Sequence, residues 1–219
     1  MVAKSHHLGL VLALGVAMCC PARVWAWTEF LSMDMMPEDV GWTINSSSEG
    51  SSTLFGGVLT INSPSYREYV APADWANTVD TATGYTIEFR MHVGLTTPCF
   101  GYNVGVAYGD KINGTFLGIE PDRIWVYGLG VQAPLDATQW HTYRIVVLGS
   151  HHRLYVDGQL TLDFTYSGDG STGAWLEWGD IGCGWSSSQW DYFAYETSAV
   201  VPVAQTSWGK IKALYRDER

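Results

Sequence analysis

Three kinds of group in this chain could act on a ligand: strand carboxylates, one mixed-charge strand and a cluster of indoles. Hydrolysis of an acetal bond between sugars needs two carboxyl groups held a fixed distance apart. On a β-strand, side chains at i and i+2 share a face, so carboxylates at even spacing can work together. That spacing is missing. Glu177 and Asp180 stand three apart and must face oppositely, and Asp191 and Glu196 stand five apart with the same result. Glu88 has no carboxylate neighbour on its strand, but it alternates with Arg90 and His92. A face bearing an acid, a guanidinium and an imidazole suits recognition of sugar hydroxyls, or removal of a proton beside a sugar carboxylate.

Flat aromatic faces stack on the C–H faces of sugar rings while nearby polar groups read the hydroxyls. Trp175, Trp178, Trp185 and Trp190 fall within sixteen residues, and Trp125 and Tyr127 stand at i and i+2. Tyr102, close to Cys99, could line the same rim as Trp185. The candidate ligand contacts are therefore Glu88, Arg90, His92, Tyr102, Trp125, Tyr127, Trp178 and Trp185. Trp190 is expected to be structural, and Asp191 to tie down a neighbouring loop by hydrogen bonds. His151-His152, at an expected hairpin tip, reads as solvated rather than metal-bound. Asp110, Asp157, Asp169 and Asp180 lie in Gly-rich segments and leave calcium open, although the spaced acidic series of a calcium loop is absent. No catalytic residue is assigned.

The elements that must position these groups are strands. Tyr85, Ile87, Phe89, Met91 and Val93 alternate with Thr86, Glu88, Arg90 and His92, so one face packs inward and the other meets water or a ligand. Further strands are expected at Thr28–Met33, Trp42–Asn45, Leu54–Ile61, Arg67–Ala71, Gly101–Tyr108, Thr115–Glu120, Arg123–Tyr127 and His141–Leu148. Others follow at Arg153–Val156, Leu160–Tyr166, Ala174–Trp178 and Trp190–Tyr195. Turn residues separate most of them, among them Gly56-Gly57, Asn113-Gly114 and Asp157-Gly158, the last suited to a tight hairpin. Ala71–Thr78 offers one helical turn with Asp74 as its cap. About a dozen short strands with polar turns predict an all-β, two-layer antiparallel sandwich.

The order of elements from Trp140 to Glu196 is distinctive. A strand opened by Trp140-His141 leads into LYVDG, a return strand, and a last strand carrying Asp191-Tyr192. This resembles the laminin-G-like and concanavalin A-like family of jelly-roll lectin and glucanase domains. The resemblance spans Trp27–Glu196, with 140–196 the most specific part. It implies a jelly roll whose concave front sheet carries ligand, with Trp140 packed inside the sandwich. The family's glucanases carry Glu-x-Asp-x-x-Glu on one strand, and its lyases carry Arg-, Gln-His- and Tyr-containing strands; neither pattern occurs here. The expected function is thus non-catalytic glycan binding. A cell-surface adhesion module is the first alternative and a divergent glycoside hydrolase or polysaccharide lyase the second.

The ends of the chain set the compartment. Residues 1–26 read as a signal peptide: Lys4, His6 and His7 precede an apolar run from Leu8 to Met18, and Val24-Trp25-Ala26 suits cleavage. That run is too short to span a bilayer. Lipidation at Cys19 or Cys20 is disfavoured by the bulk of Met18. An exported protein, secreted or held at the cell surface, is expected, with residues 27–197 as one domain. Beyond Trp27 there remain 10 Lys and Arg against 22 Asp and Glu, a net charge of −12. Nucleic acid and anionic membranes, which need a basic footprint, are poor partners for such a chain. Cys99 and Cys183 could form one disulfide in an oxidising compartment, or remain separate thiols. Residues 198–219 read as a linker and short basic tail, where Trp208, Ile211, Leu214 and Tyr215 fall on one helical face. That tail resembles those of some exported bacterial proteins.

Overall fold

The computed structural model describes residues 27–47, 49–80, 82–97, 104–166, 168, 173–182 and 184–197. The expected signal peptide, the tail, Tyr102, Cys99, Cys183 and Asp169 lie outside them. The first half comprises β1 (Glu29–Leu31), a 3-10 turn at Pro37–Val40, β2 (Thr43–Ser46), β3 (Ser51–Phe55), β4 (Val58–Ser63), β5 (Arg67–Val70) and α1 (Ala73–Thr78). β6 (Tyr85–Thr96), β7 (Val104–Asp110), β8 (Gly114–Glu120), β9 (Arg123–Val126) and β10 (Gln132–Pro134) follow. β11 (His141–Leu148), β12 (His151–Val156), β13 (Gln159–Thr165), β14 (Ala174–Asp180) and β15 (Ser186–Glu196) complete it.

These strands form two antiparallel sheets. One runs β13-β12-β11-β6-β15-β4-β3, with β1 also on β15, and the other runs β10-β9-β8-β7-β14-β5-β2. Alternation dictates the packing: Ile87, Phe89, Met91 and Val93 of β6 meet Val104, Val106, Leu117, Ile119 and Trp178 of the other sheet in one core. Its centre is aromatic. Trp178 stacks on Phe193 (centroids 5.0 Å apart, planes at 13°) and on Tyr69 (4.8 Å, 29°), with Trp190 at 4.8 Å.

Local departures from the expected elements have local causes. Leu54–Ile61 is two strands, because Gly56 and Gly57 both take positive φ and reverse the chain into a β3–β4 hairpin. α1 starts after Pro72 with no side-chain cap, so Asp74 sits in the first turn rather than at its cap. The helix carries Trp75 into the core, where its Nε1–H donates to the Gly109 carbonyl at 3.1 Å. β15 shifts register between Trp190 and Tyr192. This bulge lets Trp190 and Phe193 both face the core while Asp191 turns toward Arg90. The two ends of the described chain meet: β1 pairs with the end of β15, and Thr28 Oγ1 both donates to Glu196 Oε1 at 3.0 Å and accepts from Thr197 N–H at 3.2 Å.

Candidate functional site

Among the expected contact residues, Glu88, Arg90 and His92 stand on the outer side of one sheet and Trp125 and Tyr127 on that of the other. On the eight-stranded sheet, β6 presents Glu88, Arg90 and His92, with Thr142 and Arg144 of β11 beside them in register. Glu88 is wholly buried: Arg144 Nε donates to its Oε2 at 2.6 Å, and the Tyr192 hydroxyl donates to its Oε1 at 2.8 Å. Proximity to that carboxylate adds to burial in pushing the Tyr192 hydroxyl well above its ordinary value. The expectation that Glu88 contacts a ligand is therefore corrected, since its oxygens are spent on an internal ion pair. Arg90 is partly exposed and pairs with Asp191 at 3.0 Å, so Asp191 ties down a neighbouring strand rather than a loop. Trp140 is half-buried and lies outside the core cluster, with the Arg90 guanidinium 4.9 Å from its ring centroid. The sandwich position expected for Trp140 is corrected accordingly. His92 meets Trp140 edge-on at 4.6 Å and bonds Gln189 Oε1 through Nε2 at 2.8 Å.

Other expectations are settled by burial. Trp178 has no exposed surface, so it offers no face to a ligand and its place among the contact residues is corrected. Trp190 is wholly buried, as expected. His152 is also wholly buried, stacked on Phe164 at 5.1 Å and bonded to the Tyr108 hydroxyl through Nδ1 at 3.2 Å, so it is not solvated. Burial, helped by the neighbouring His151, lowers its pKa to about 4. The aspartates considered for calcium are dispersed. Asp110 closes its own turn, Asp157 bonds His141 and Thr142, and Asp180 is buried. Among the described residues no group of three or more His, Cys, Asp or Glu gathers as a metal centre.

The seven-stranded sheet carries the more coherent site. One register row crosses the whole sheet: Asn45, Glu68, Gly179, Gly105, Gly118, Trp125 and Gln132 stand side by side on seven neighbouring strands. Their neighbours in sequence, among them Tyr69, Trp178, Val104, Val106, Leu117 and Ile124, point into the core, so this row belongs to the outer face. At strand spacing, Glu68 and Trp125 are about 19 Å apart with three glycines between them. The next row on this face holds Val70, Glu177, Ala107 and Phe116.

Glycine leaves room that the aromatic rings occupy. A Cβ on Gly118 would overlap the Trp125 indole, and one on Gly109 or Gly114 would overlap Trp175. Both indoles therefore lie across the backbone and are half-buried, covered on the sheet side. Tyr127 joins Trp125 at 6.3 Å and is 55% exposed. Trp185 is 43% exposed on the β14–β15 connection, where its N–H donates to Thr97 Oγ1 at 3.0 Å.

Sequence reading missed the acids of this face. Glu68 and Glu177 are diagonal neighbours across the β5–β14 pair, roughly 7 Å apart at Cβ. Asn45 Nδ2 donates to Glu68, and neither acid has a basic partner among the described residues. Burial, reinforced by the Glu177 carboxylate, pushes Glu68 up to about 7 despite the Asn45 bond. Burial also raises Glu177. With Glu68 protonated over part of the neutral range, the pair offers a donor and an acceptor on adjacent strands.

Neither a protein-family model nor a curated protein sequence matches the chain. Solved structures do match in shape. The apo Crh5 transglycosylase superposes with a TM-score of 0.57 at 12% identity, over 80% of this chain and 86% of that one. An endo-acting O-glycanase from the human gut microbiota gives 0.56 at 11%, over 78% and 99%. Alginate lyase AlgAT5 of polysaccharide lyase family 7 gives 0.50 at 16%, over 68% and 82%. At these identities the likeness is one of architecture, and the chain has the two-sheet antiparallel jelly-roll sandwich that these proteins share.

Proposed function

We propose that this protein is an exported glycan-binding module whose ligand lies across the outer face of the seven-stranded sheet. The observation that carries the reading is the row from Glu68 through Gly179, Gly105 and Gly118 to Trp125, in which the Trp125 indole lies flat over Gly118 at one end and an acid stands at the other. Sugar rings stack on Trp125 while Glu68, Glu177 and Asn45 bond their hydroxyls. Gly118 has no side chain to lift the indole, so the ring lies flat on the sheet and stacks through its outer face. Glycan-array binding tests this, with Trp125→Ala as the control. Signal on one or more neutral oligosaccharides that Trp125→Ala abolishes, at unchanged thermal stability, supports the reading. No signal on any glycan, with and without calcium, removes it and leaves the protein-binding adhesion module.

One observation favours a second reading, glycoside hydrolysis. Glu68, raised to about 7, keeps a proton over part of the neutral range beside Glu177, its diagonal neighbour on the adjacent strand, and glycosidases work with two carboxyl groups in acid and base roles. Glu68 would protonate the leaving oxygen and Glu177 would act as nucleophile or base. Reducing ends released from a polysaccharide panel, and lost in both Glu68→Gln and Glu177→Gln, would establish it.

A further inference from the structure

We propose that residues 198–219 fold back over the outer face of the eight-stranded sheet and cover its centre, with Trp208, Ile211, Leu214 and Tyr215 set against β11, β6 and β15. What points to a cover is a buried patch on a face that the strands themselves leave open. Two register rows cross these strands: Val146, Thr86 and Glu196, then Arg144, Glu88 and Ala194. Their sequence neighbours Tyr85, Ile87, Ile145, Val147 and Tyr195 belong to the core, so both rows point outward. Yet none of the six is more than 8% exposed. Val146, Tyr192 and Ala194 are likewise buried while standing outside the core cluster. Outward residues of flanking strands, Arg153, Asp163 and Thr60, are exposed or half-buried, as on an open sheet face. Among the described residues, the main elements packed on β6, β11 and β15 are their ladder partners and β7, β8 and β14 of the other sheet. Side chains as short as Thr86 and Ala194 cannot cover Val146 and Arg144, so the cover comes from elsewhere in the chain.

The segment after Thr197 starts at the patch: Glu196 closes the first row, and the Thr197 N–H donates to Thr28 Oγ1 beside it. Its reach is ample. Residues 198–206 extend up to about 30 Å, and 207–219 as a helix would run about 20 Å, against roughly 10 Å across three strands. It also matches in kind. The apolar stripe Trp208, Ile211, Leu214 and Tyr215 needs a partner in water, and the patch offers Val146, Ala194 and the Phe30–Tyr192 stack. Residues 27–197 carry 6 Lys and Arg against 20 Asp and Glu, whereas 198–219 carry 4 against 2, so charge draws the segment onto the sandwich.

The test is hydroxyl-radical footprinting of the exported chain, residues 27–219, read residue by residue by mass spectrometry. Ile211→Glu/Leu214→Glu serves as the undocked variant, since both changes lie outside the sandwich. Phe30 and Tyr192 are expected to be labelled slowly in the parent and about fivefold faster in the variant, while Phe55 and Tyr127, exposed elsewhere, do not change. Limited trypsin digestion gives a second measure: cleavage after Lys210 and Lys212 is expected to be about tenfold slower in the native parent than in the variant. Fast labelling of Phe30 and Tyr192 in the parent overturns the inference and points to residues before Trp27 as the cover. Equally slow labelling in parent and variant overturns it too. Protection from trypsin that disappears on dilution places the segment on a second copy of the chain and overturns docking within one chain. If the variant loses its fold, the parent decides alone. Cleavage after Lys210 and Lys212 as fast as in the isolated peptide of residues 198–219 overturns the inference, and protection of about tenfold or more upholds it.

Discussion

The indole of Trp125 lies across Gly118, in the space that a side chain at position 118 would need. The two residues are direct partners in the β8–β9 ladder, so the glycine sets how flat the ring can lie. Gly118→Val is therefore expected to lift the indole off the sheet. Glycan affinity should fall about tenfold, the scale of one lost stacking contact, while the sandwich stays folded. Calorimetry beside a thermal melt checks this. Unchanged affinity in the valine variant would remove Trp125 from the binding surface.

Trp178 is the opposite case. It is enclosed by Tyr69, Phe193, Trp190 and Trp42, and Trp178→Ala leaves a large cavity there. Destabilisation of about 3–5 kcal/mol is expected in urea unfolding. The fraction that remains folded should bind glycan as the parent does, which separates a core tryptophan from a stacking one.

Arg144 and Glu88 form an ion pair with side chains 7% and 1% exposed. Arg144→Met strands the Glu88 carboxylate with only the Tyr192 hydroxyl for company and should cost about 3–5 kcal/mol. Adding Glu88→Gln removes the stranded charge, so the double variant is expected to recover part of the loss. A double-mutant cycle in urea measures the coupling, and a double variant weaker than the sum of the singles would contradict this account.

Two buried groups give stability opposite pH slopes. Burial raises Asp180 from 3.8 to about 7 against its bonds from Ser186 and Ser188. The folded state then holds a proton that the unfolded state has lost, so stability is full below pH 4 and falls by on the order of 4 kcal/mol as pH rises to about 7. His152, lowered from 6.5 to about 4, acts the other way: its contribution is full above pH 6.5 and is lost as pH falls toward 4. Asp180→Asn should therefore stabilise the protein at pH 8 and not at pH 4. His152→Phe should flatten the acid limb. Urea midpoints measured from pH 4 to pH 8 for both variants resolve the two slopes.

The parts of the structure legible in sequence were those decided by near neighbours. Strict alternation placed Tyr85–Val93 with its apolar side inward, and Asp157-Gly158 takes the positive φ angles of a tight hairpin turn. The candidate site was less legible because its members meet through register. Glu68 and Glu177 are 109 positions apart in sequence and meet only because β5 pairs with β14. A search for two carboxylates on one strand could not find them. Glu88 and Trp178 were placed on a ligand surface because a buried acid and a buried indole read like exposed ones. What buries Glu88 is Arg144, brought alongside by the β6–β11 pairing. Three glycines in one row carry a detectable signal, but only once the order of strands is known.

The clasp between Thr28 and Thr197 makes the sandwich nearly a closed ring of chain. A short linker from 197 back to 27 would complete the circuit, and new termini could be opened at an exposed turn such as Asp157-Gly158. Such a circular permutant would keep every strand pairing. It would also present the outer face of the seven-stranded sheet to a surface from a different point of attachment, with the orientation chosen by where the ring is cut.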